Sequence, residues 1–419
     1  MIDRSFRRNF VFLTLDGMFF FLGMVFVSYE TVMPVFLARL GASKTAIGII
    51  PVAVAVGLNG PSILAARRIE AMERKIPYIR IVGMIQRISY PIVAVLVLLI
   101  AVSSPSWLIV AVLAGIVVAT GSAGLIVPAF FDVVATTIPM RYRGRLFATR
   151  SVLSYLFGIA GGLIVKYVLD KVAFPGNYAI LYGVAGLFLY MGWVAFLFVR
   201  EPKPVAEPTP IAGREPVVRE AVLLLTSNRS FTLYIVSRAF LIISFAGTAF
   251  FPVYLVETYG LPDSVSGVFA LITAATFVVV NPVLGLMADR VGYKPVFVTS
   301  FASLGAAAVL GAIGMPATVA YVLIVLTAIS QSVNMFAFNM TVEFAPPGQV
   351  PTYIGVSGLL IGLAALLSLA VGRLVDLYGY LVVFLVTGAT ALLGMAVMVF
   401  GVEEPRVAQR RLNHPDTPI

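Results

Sequence analysis

The chain has 419 residues, of which 60% are hydrophobic and 11% charged, with a mean hydropathy of +1.02; a soluble globular protein could not shield so much apolar surface. With no cysteine and one histidine, His414, there is neither a disulfide framework nor a thiolate metal site, and most histidine-based catalysis is excluded. The net charge of +10 flanks apolar runs, so it speaks of membrane topology and not of nucleic acid.

Arg4, Arg7 and Arg8 precede the first apolar run, and no small-residue cleavage site follows it, so the run reads as a retained helix. Apolar runs of membrane-crossing length then recur and predict twelve spans. Their limits are 11–37, 46–66, 78–102, 106–130, 146–168, 178–199, 231–257, 264–287, 296–314, 317–342, 351–375 and 380–402. The fold class is an all-α polytopic membrane protein. With the N-terminus inside, 22 of the 29 Lys and Arg fall in inner segments, which places both chain ends in the cytoplasm. Between 200 and 229, Pro202, Pro204, Pro208, Pro210 and Pro216 stand among charges. This stretch is expected to be a cytoplasmic linker between a half at 1–199 and a half at 230–402, with a cytoplasmic tail at 403–419.

The halves repeat one another. Ala46-Ile47-Gly48 followed by Asn59-Gly60-Pro61 parallels Ser266-Gly267 followed by Asn281-Pro282, and Pro34-Val35-Phe36-Leu37 echoes Pro252-Val253-Tyr254-Leu255. Phe131-Asp132 likewise matches Phe338-Asn339. Duplicated six-helix units are a transporter arrangement with the solute site between them near mid-membrane.

Between the eighth and ninth spans lies Gly285-Leu286-Met287-Ala288-Asp289-Arg290-Val291-Gly292-Tyr293-Lys294, a short charged turn. Gly292 can take the positive φ that a quick reversal needs, and Arg290 and Lys294 hold the turn on the basic side. Asp289 suits the N-terminus of a neighbouring helix, where free N–H groups favour an anion.

With its two six-helix halves, its central linker, this loop and Arg143-Gly144-Arg145 before the fifth span, the chain resembles the major facilitator superfamily. The loop is similar to the family motif G-x-x-x-D-R-x-G-R-K, with Tyr293 in place of a basic residue. The first-half copy, Leu64 to Lys75, has no aspartate at the matching place, the fourth span has no arginine, and the fifth lacks the proline of the antiporter signature. The two-fold relation that the resemblance implies places Asp289 against the fifth helix beside Arg141, Arg143 and Arg145, as a cytoplasmic gate together with Arg290, Gly292 and Lys294. The corresponding start of the eleventh span, Pro346 to Pro351, carries no charge.

Asp16 and Glu30 lie within the first span, where ionisable groups are costly unless they face a cavity or a partner. Fourteen residues apart, they would share a helix face about 21 Å apart in depth. One of them is a candidate proton carrier; the alternative is a permanent pair with Arg87, which is expected to be buried within the first half. Arg238 lies at a depth similar to Asp16, so a pair between them would bridge the halves on the cytoplasmic side, made by closure and broken by opening. In the tenth span, Gln331, Asn334 and Asn339 could bind solute by neutral hydrogen bonds or simply join helices. Arg373 and Asp376 read as a local helix pair, and Gly158, Gly161 and Gly162 as sites of close packing.

The expected function is secondary transport of a small organic solute across the cell membrane of a prokaryotic-type cell, by alternating access with protons as coupling ion and with export slightly favoured over nutrient uptake. A membrane sensor or scaffold with the same fold is the competing class. No nucleotide-binding loop, cofactor or metal site is expected, nor enzyme activity. The partners foreseen are the solute, protons and the lipid bilayer, not nucleic acid, for a chain acting as a monomer.

Overall fold

A computed structural model describes residues 4–70, 72–201, 217–314, 316–345 and 350–405. Most of the expected linker, most of the tail and the segment 346–349 lie outside these described residues.

The first half contains α1 (Arg4–Phe26), α2 (Val32–Arg39), α3 (Lys44–Glu70), α4 (Ile76–Ile100), α5 (Pro105–Thr137), α6 (Met140–Lys171) and α7 (Gly176–Leu197). A short helix, α8 (Val217–Ser227), forms inside the stretch expected to be an irregular linker. Its sequence permits this: once the prolines end, Val217 to Leu225 contains no Pro or Gly and includes the strong helix formers Arg219, Glu220, Ala221 and Leu223 to Leu225. The second half contains α9 (Arg229–Thr248), α10 (Phe250–Tyr259), α11 (Val265–Val291), α12 (Lys294–Ile313), α13 (Ala317–Gln331), α14 (Asn334–Phe344), α15 (Val350–Leu367), α16 (Leu369–Tyr378) and α17 (Leu381–Ala396), the last continued by a π-helical turn at Val397–Gly401. Among the described residues twelve helices are long and apolar enough to cross a membrane. Several run further than the apolar stretches alone would set: α5 continues to Thr137 and α6 begins at Met140. Hydropathy marks where the hydrocarbon ends, whereas the backbone ladder continues into water as long as nothing breaks it.

Within the first half α1 packs on α6 and α7, α3 on α5, and α4 on α5 and α7; within the second, α9 packs on α15 and α17, and α12 on α13 and α17. The halves meet chiefly where α6 lies along α11 and where α3 lies along α15 and α16. Both meetings use glycine. A Cβ on Gly48 would lie 3.1 Å from the Cα of Gly372, and one on Gly162 would lie 2.8 Å from the oxygen of Gly267, so the backbones approach as no larger residue would allow. These two glycine contacts are the same contact seen twice, since Gly48 and Gly267 are equivalent in the internal repeat.

The end of the bundle near the start of α1 and the end of α17 is called here the terminal end, and the one carrying the turns after α2, α10 and α16 the loop end. At the terminal end a second repeated device appears. Glu201 accepts hydrogen bonds from the backbone N–H groups of Lys75 and Ile76 at the start of α4, with 3.0 Å from Lys75 to Oε2. Glu404 does the same for Tyr293 and Lys294 at the start of α12, at 3.2 and 2.8 Å. Each carboxylate covers the orphan donors of a helix N-terminus and suits its dipole.

Candidate functional site

The first crossing is not one helix. It breaks between Phe26 and Val32, where the Ser28 hydroxyl accepts from the N–H groups of Glu30 and Thr31 at 3.3 and 3.2 Å and holds the turn that precedes α2. Asp16 and Glu30 therefore do not share the face of one continuous helix, as their spacing implies. Glu30 projects from the break, and its side chain is exposed, although the chain surrounds it, because it faces a chamber.

That chamber has a volume of about 320 Å³ and is lined by Phe20, Met24, Tyr29, Glu30, Tyr155 and Phe277 among others. The last of these comes from α11, so the chamber lies between the halves. The Tyr29 and Tyr90 hydroxyls hydrogen-bond to each other at 3.0 Å on its wall. Gln331 approaches the Glu30 carboxyl across the half interface, and both line a small adjoining cleft. Among the described residues no Lys or Arg forms an ion pair with Glu30.

Asp16 takes a different course. It is 7% exposed and sits between two guanidinium groups, with Oδ1 3.5 Å from Nη2 of Arg87 and Oδ2 3.6 Å from Nη2 of Arg150. Arg87 is fully engaged: its Nε donates to the Leu189 carbonyl at 2.8 Å, and its Nη1 to the Gly83 carbonyl at 2.9 Å and to Gln86 Oε1 at 3.1 Å. Arg150 has its plane over the Phe130 ring at 4.8 Å. The three charged groups line a second chamber of about 370 Å³, contiguous with the first through Phe20, Phe21, Leu58, Gln86 and Ala123. In the sequence Arg150 stands only among the basic residues counted at the inner end of the fifth span. Its depth beside Asp16 was readable, but not that α6 turns it inward.

Among the described residues Asp16 and Arg238 form no ion pair in this arrangement, which is sealed at the loop end and not at the end where closure was expected to make the pair. Arg238 stays in its own half, with Nη1 3.3 Å from the Ser357 hydroxyl and its guanidinium over Tyr234. Similar depth does not bring them together, because α1 and α9 present these residues to different neighbours. Asn334 and Asn339 occupy the exposed face of α14 with Phe338, whose ring stacks on Phe131 across the halves at 5.5 Å. Neither amide lines the two chambers.

At the charged turn, Gly292 has φ +110 and a Cβ on it would lie 2.3 Å from the Glu404 carboxyl carbon. Lys294 Nζ donates to the carbonyls of Val399 and Val402, each at 2.8 Å. The turn is thus clamped to the end of the last span. Asp289 and Arg290 are exposed at the terminal end of α11. Of the arginines expected beside Asp289, Arg143 donates to the Ile138 and Ala135 carbonyls at the end of α5, and Arg145 lies over the Tyr142 ring. The side chain of Arg141 lies outside the described residues.

The loop end is closed by polar contacts between the halves. Lys44 Nζ pairs with Glu257 at 2.5 Å, and Glu257 also accepts from the Tyr380 hydroxyl at 2.6 Å. Asp376 accepts from the backbone N–H groups of Lys44 and Thr45 at 2.8 and 2.9 Å and from the Thr45 hydroxyl at 2.5 Å. It serves the start of α3 in the other half, and the local Arg373–Asp376 pair inferred from spacing is not its principal contact. Arg39 lies 3.8 Å from Asp263, which also accepts from the Tyr178 hydroxyl at 3.3 Å. The sequence carried a signal for this belt: the turn after the first crossing is basic and the equivalent turn after the seventh is acidic.

Comparison with known proteins agrees with this architecture. The family model described as Major Facilitator Superfamily matches residues 264–416. Among curated proteins no sequence matches. Solved structures similar over almost the whole chain include a POT family transporter in complex with 5-aminolevulinic acid (TM-score 0.70, 14% identity, 95% of this chain and 96% of that one). The nucleoside transporter NupG (0.70, 13%, 94% and 100%) and a D-xylose-proton symporter (0.70, 14%, 96% and 98%) share the same fold. The resemblance read from the sequence is borne out at the level of fold, and the family model matches within the second half.

Proposed function

We propose that this chain, which has the major facilitator superfamily fold of a transporter, moves a small amphipathic organic solute out of the cell by alternating access, driven by protons. The observation that carries this reading is the chamber between the halves, sealed at the loop end by the Lys44, Glu257 and Asp376 contacts and faced by the Glu30 carboxyl, which among the described residues has no Lys or Arg partner. Its wall is apolar and aromatic around a few polar groups, which is what an amphipathic solute requires. The clustering of basic residues supports a cytoplasmic terminal end, from which a solute reaching this chamber would come.

Glu30 suits a proton-carrying role because it stands in a break of the first crossing, where rearrangement of the halves changes its access to water. Gln331 supplies a neutral contact from the opposite half. Proton binding at Glu30 and solute occupancy would then act on the same interface, so each biases the state that the other prefers.

The test is flux into proteoliposomes carrying a pH dye, screened over amphipathic solutes. Solute movement should acidify or alkalinise the lumen, and Glu30→Gln should abolish that signal while solute exchange persists. Solute movement indifferent to pH in both proteins would overturn the coupling, and no flux despite measurable solute binding would favour a sensor.

A further inference from the structure

We infer that the chamber around Arg150 is a subsite for the anionic group of an organic acid, with Asp16 as the resident counter-ion that the ligand displaces; this deepens the transporter reading and rests on it. Two guanidinium groups share one carboxylate there, which leaves a surplus of positive charge among side chains that are each at least nine-tenths buried. The arginines are unequal. Arg87 has four acceptors and is a structural member of the first half. Among the described residues Arg150 has one ion pair, the long contact to Asp16, beside its place over the Phe130 ring, and its Nη1 is buried with no hydrogen-bond partner.

A guanidinium carries five donors in a planar fork that matches a carboxylate or phosphate, and leaving such donors unmet in a buried place is costly. Something with two acceptor oxygens is the natural complement. Phe130 holds the fork plane from one side. Apart from Gln86 the remaining wall is apolar, with Ile79, Val127, Trp193 and Phe196, and it can receive the body of an organic anion. The chamber joins the one at Glu30, so a ligand could extend from the anion subsite toward the half interface.

Trp193 lines the subsite, and the other tryptophan, Trp107, is 72% exposed in the first turn of α5. In the full-length Trp107→Phe protein in nanodiscs, fluorescence therefore reports on the subsite alone. Titration with 4-nitrobenzoate should quench it saturably at about tenfold lower concentration than the neutral isostere 4-nitrobenzamide. Arg150→Gln should bring the two ligands together, Arg150→Lys should keep part of the preference, and Asp16→Asn should tighten the acid by removing its competitor. Equal quenching by acid and amide, or a preference that survives Arg150→Gln, would overturn the subsite. Should Arg150→Gln fail to fold, Asp16→Asn decides, since weaker acid binding in it contradicts a displaced counter-ion. Proteoliposome flux separates the two readings: acid preference without flux sinks transport and keeps the subsite, and flux without acid preference does the reverse.

Discussion

Gly162 and Gly267 bring the two halves into backbone contact at the loop end: a Cβ on Gly267 would lie 2.3 Å from the Lys166 nitrogen, and one on Gly162 would lie 2.7 Å from that of Leu271. Gly48 and Gly372 repeat the contact between α3 and α16. A side chain at either pair cannot be absorbed by rotamer change, because backbone stands in the way. Gly267→Val should therefore force the loop end apart. The chain has no cysteine, so spin labels at Ala42→Cys and Leu261→Cys report the separation directly. Their distance should lengthen, and an unchanged distribution would refute the glycine contact as the seal.

Asp263 makes that seal sensitive to acid. It lies in the turn between α10 and α11, and burial raises its carboxyl above the usual 3.8, against the lowering pull of Arg39 and of the Tyr178 hydroxyl. When the loop end opens, water returns and the carboxyl regains its ordinary value. The sealed state thus binds the proton more tightly, so acidification favours the seal and rising pH through the raised value weakens it. The same spin-label pair should report more of the closed form in the acid window above 3.8. In Asp263→Asn the population should no longer change with pH across that window.

The two glutamate caps carry a stability prediction. Glu404→Ala uncovers the Tyr293 and Lys294 N–H groups and should cost about 1 kcal/mol, as should Glu201→Ala at the start of α4. Gly292→Ala strikes the same carboxylate and also strains φ +110. Combined with Glu404→Ala it should cost less than the sum of the two. Thermal denaturation of the four proteins checks this, and strict additivity would show that Glu404 does not hold the turn.

Arg87 and Arg238 should differ sharply when replaced. Arg87→Gln leaves Asp16 with Arg150 as its one remaining ion-pair partner among the described residues and abandons the Leu189 and Gly83 carbonyls in a buried place, at a cost of about 3 kcal/mol. Arg238→Gln loses one 3.3 Å contact to Ser357 and should cost under about 1 kcal/mol. Melting temperatures of equal size for the two variants would mean that Arg87 is not the anchor its contacts indicate.

How much of this the sequence held can be judged residue by residue. The twelve crossings, the internal repeat and the charged turn at Gly292 were all legible, because hydropathy, helix length and a glycine's need for positive φ are properties of neighbouring residues along the chain. Glu201 and Glu404 were legible too, as Glu-Pro pairs closing equivalent spans, and were passed over because a carboxylate after a span looks like ordinary solvated surface. Asp16 shows where such reading ends. Its depth could be counted in residues, and Arg87 and Arg238 stood as possible partners, whereas Arg150 did not. Choosing among them requires the rotation of each helix about its axis and the packing of α1 against α6 and α7, which a pattern apolar nearly all round does not encode. The same limit hid the breaks that set Glu30 in a chamber and the cross-half contacts of Asp376. The sequence by itself determined that the chain crosses a membrane twelve times in two related halves. Only the tertiary structure decided which charges meet, since a pair forms through side-chain direction and helix contact, and neither is a property of one helix alone.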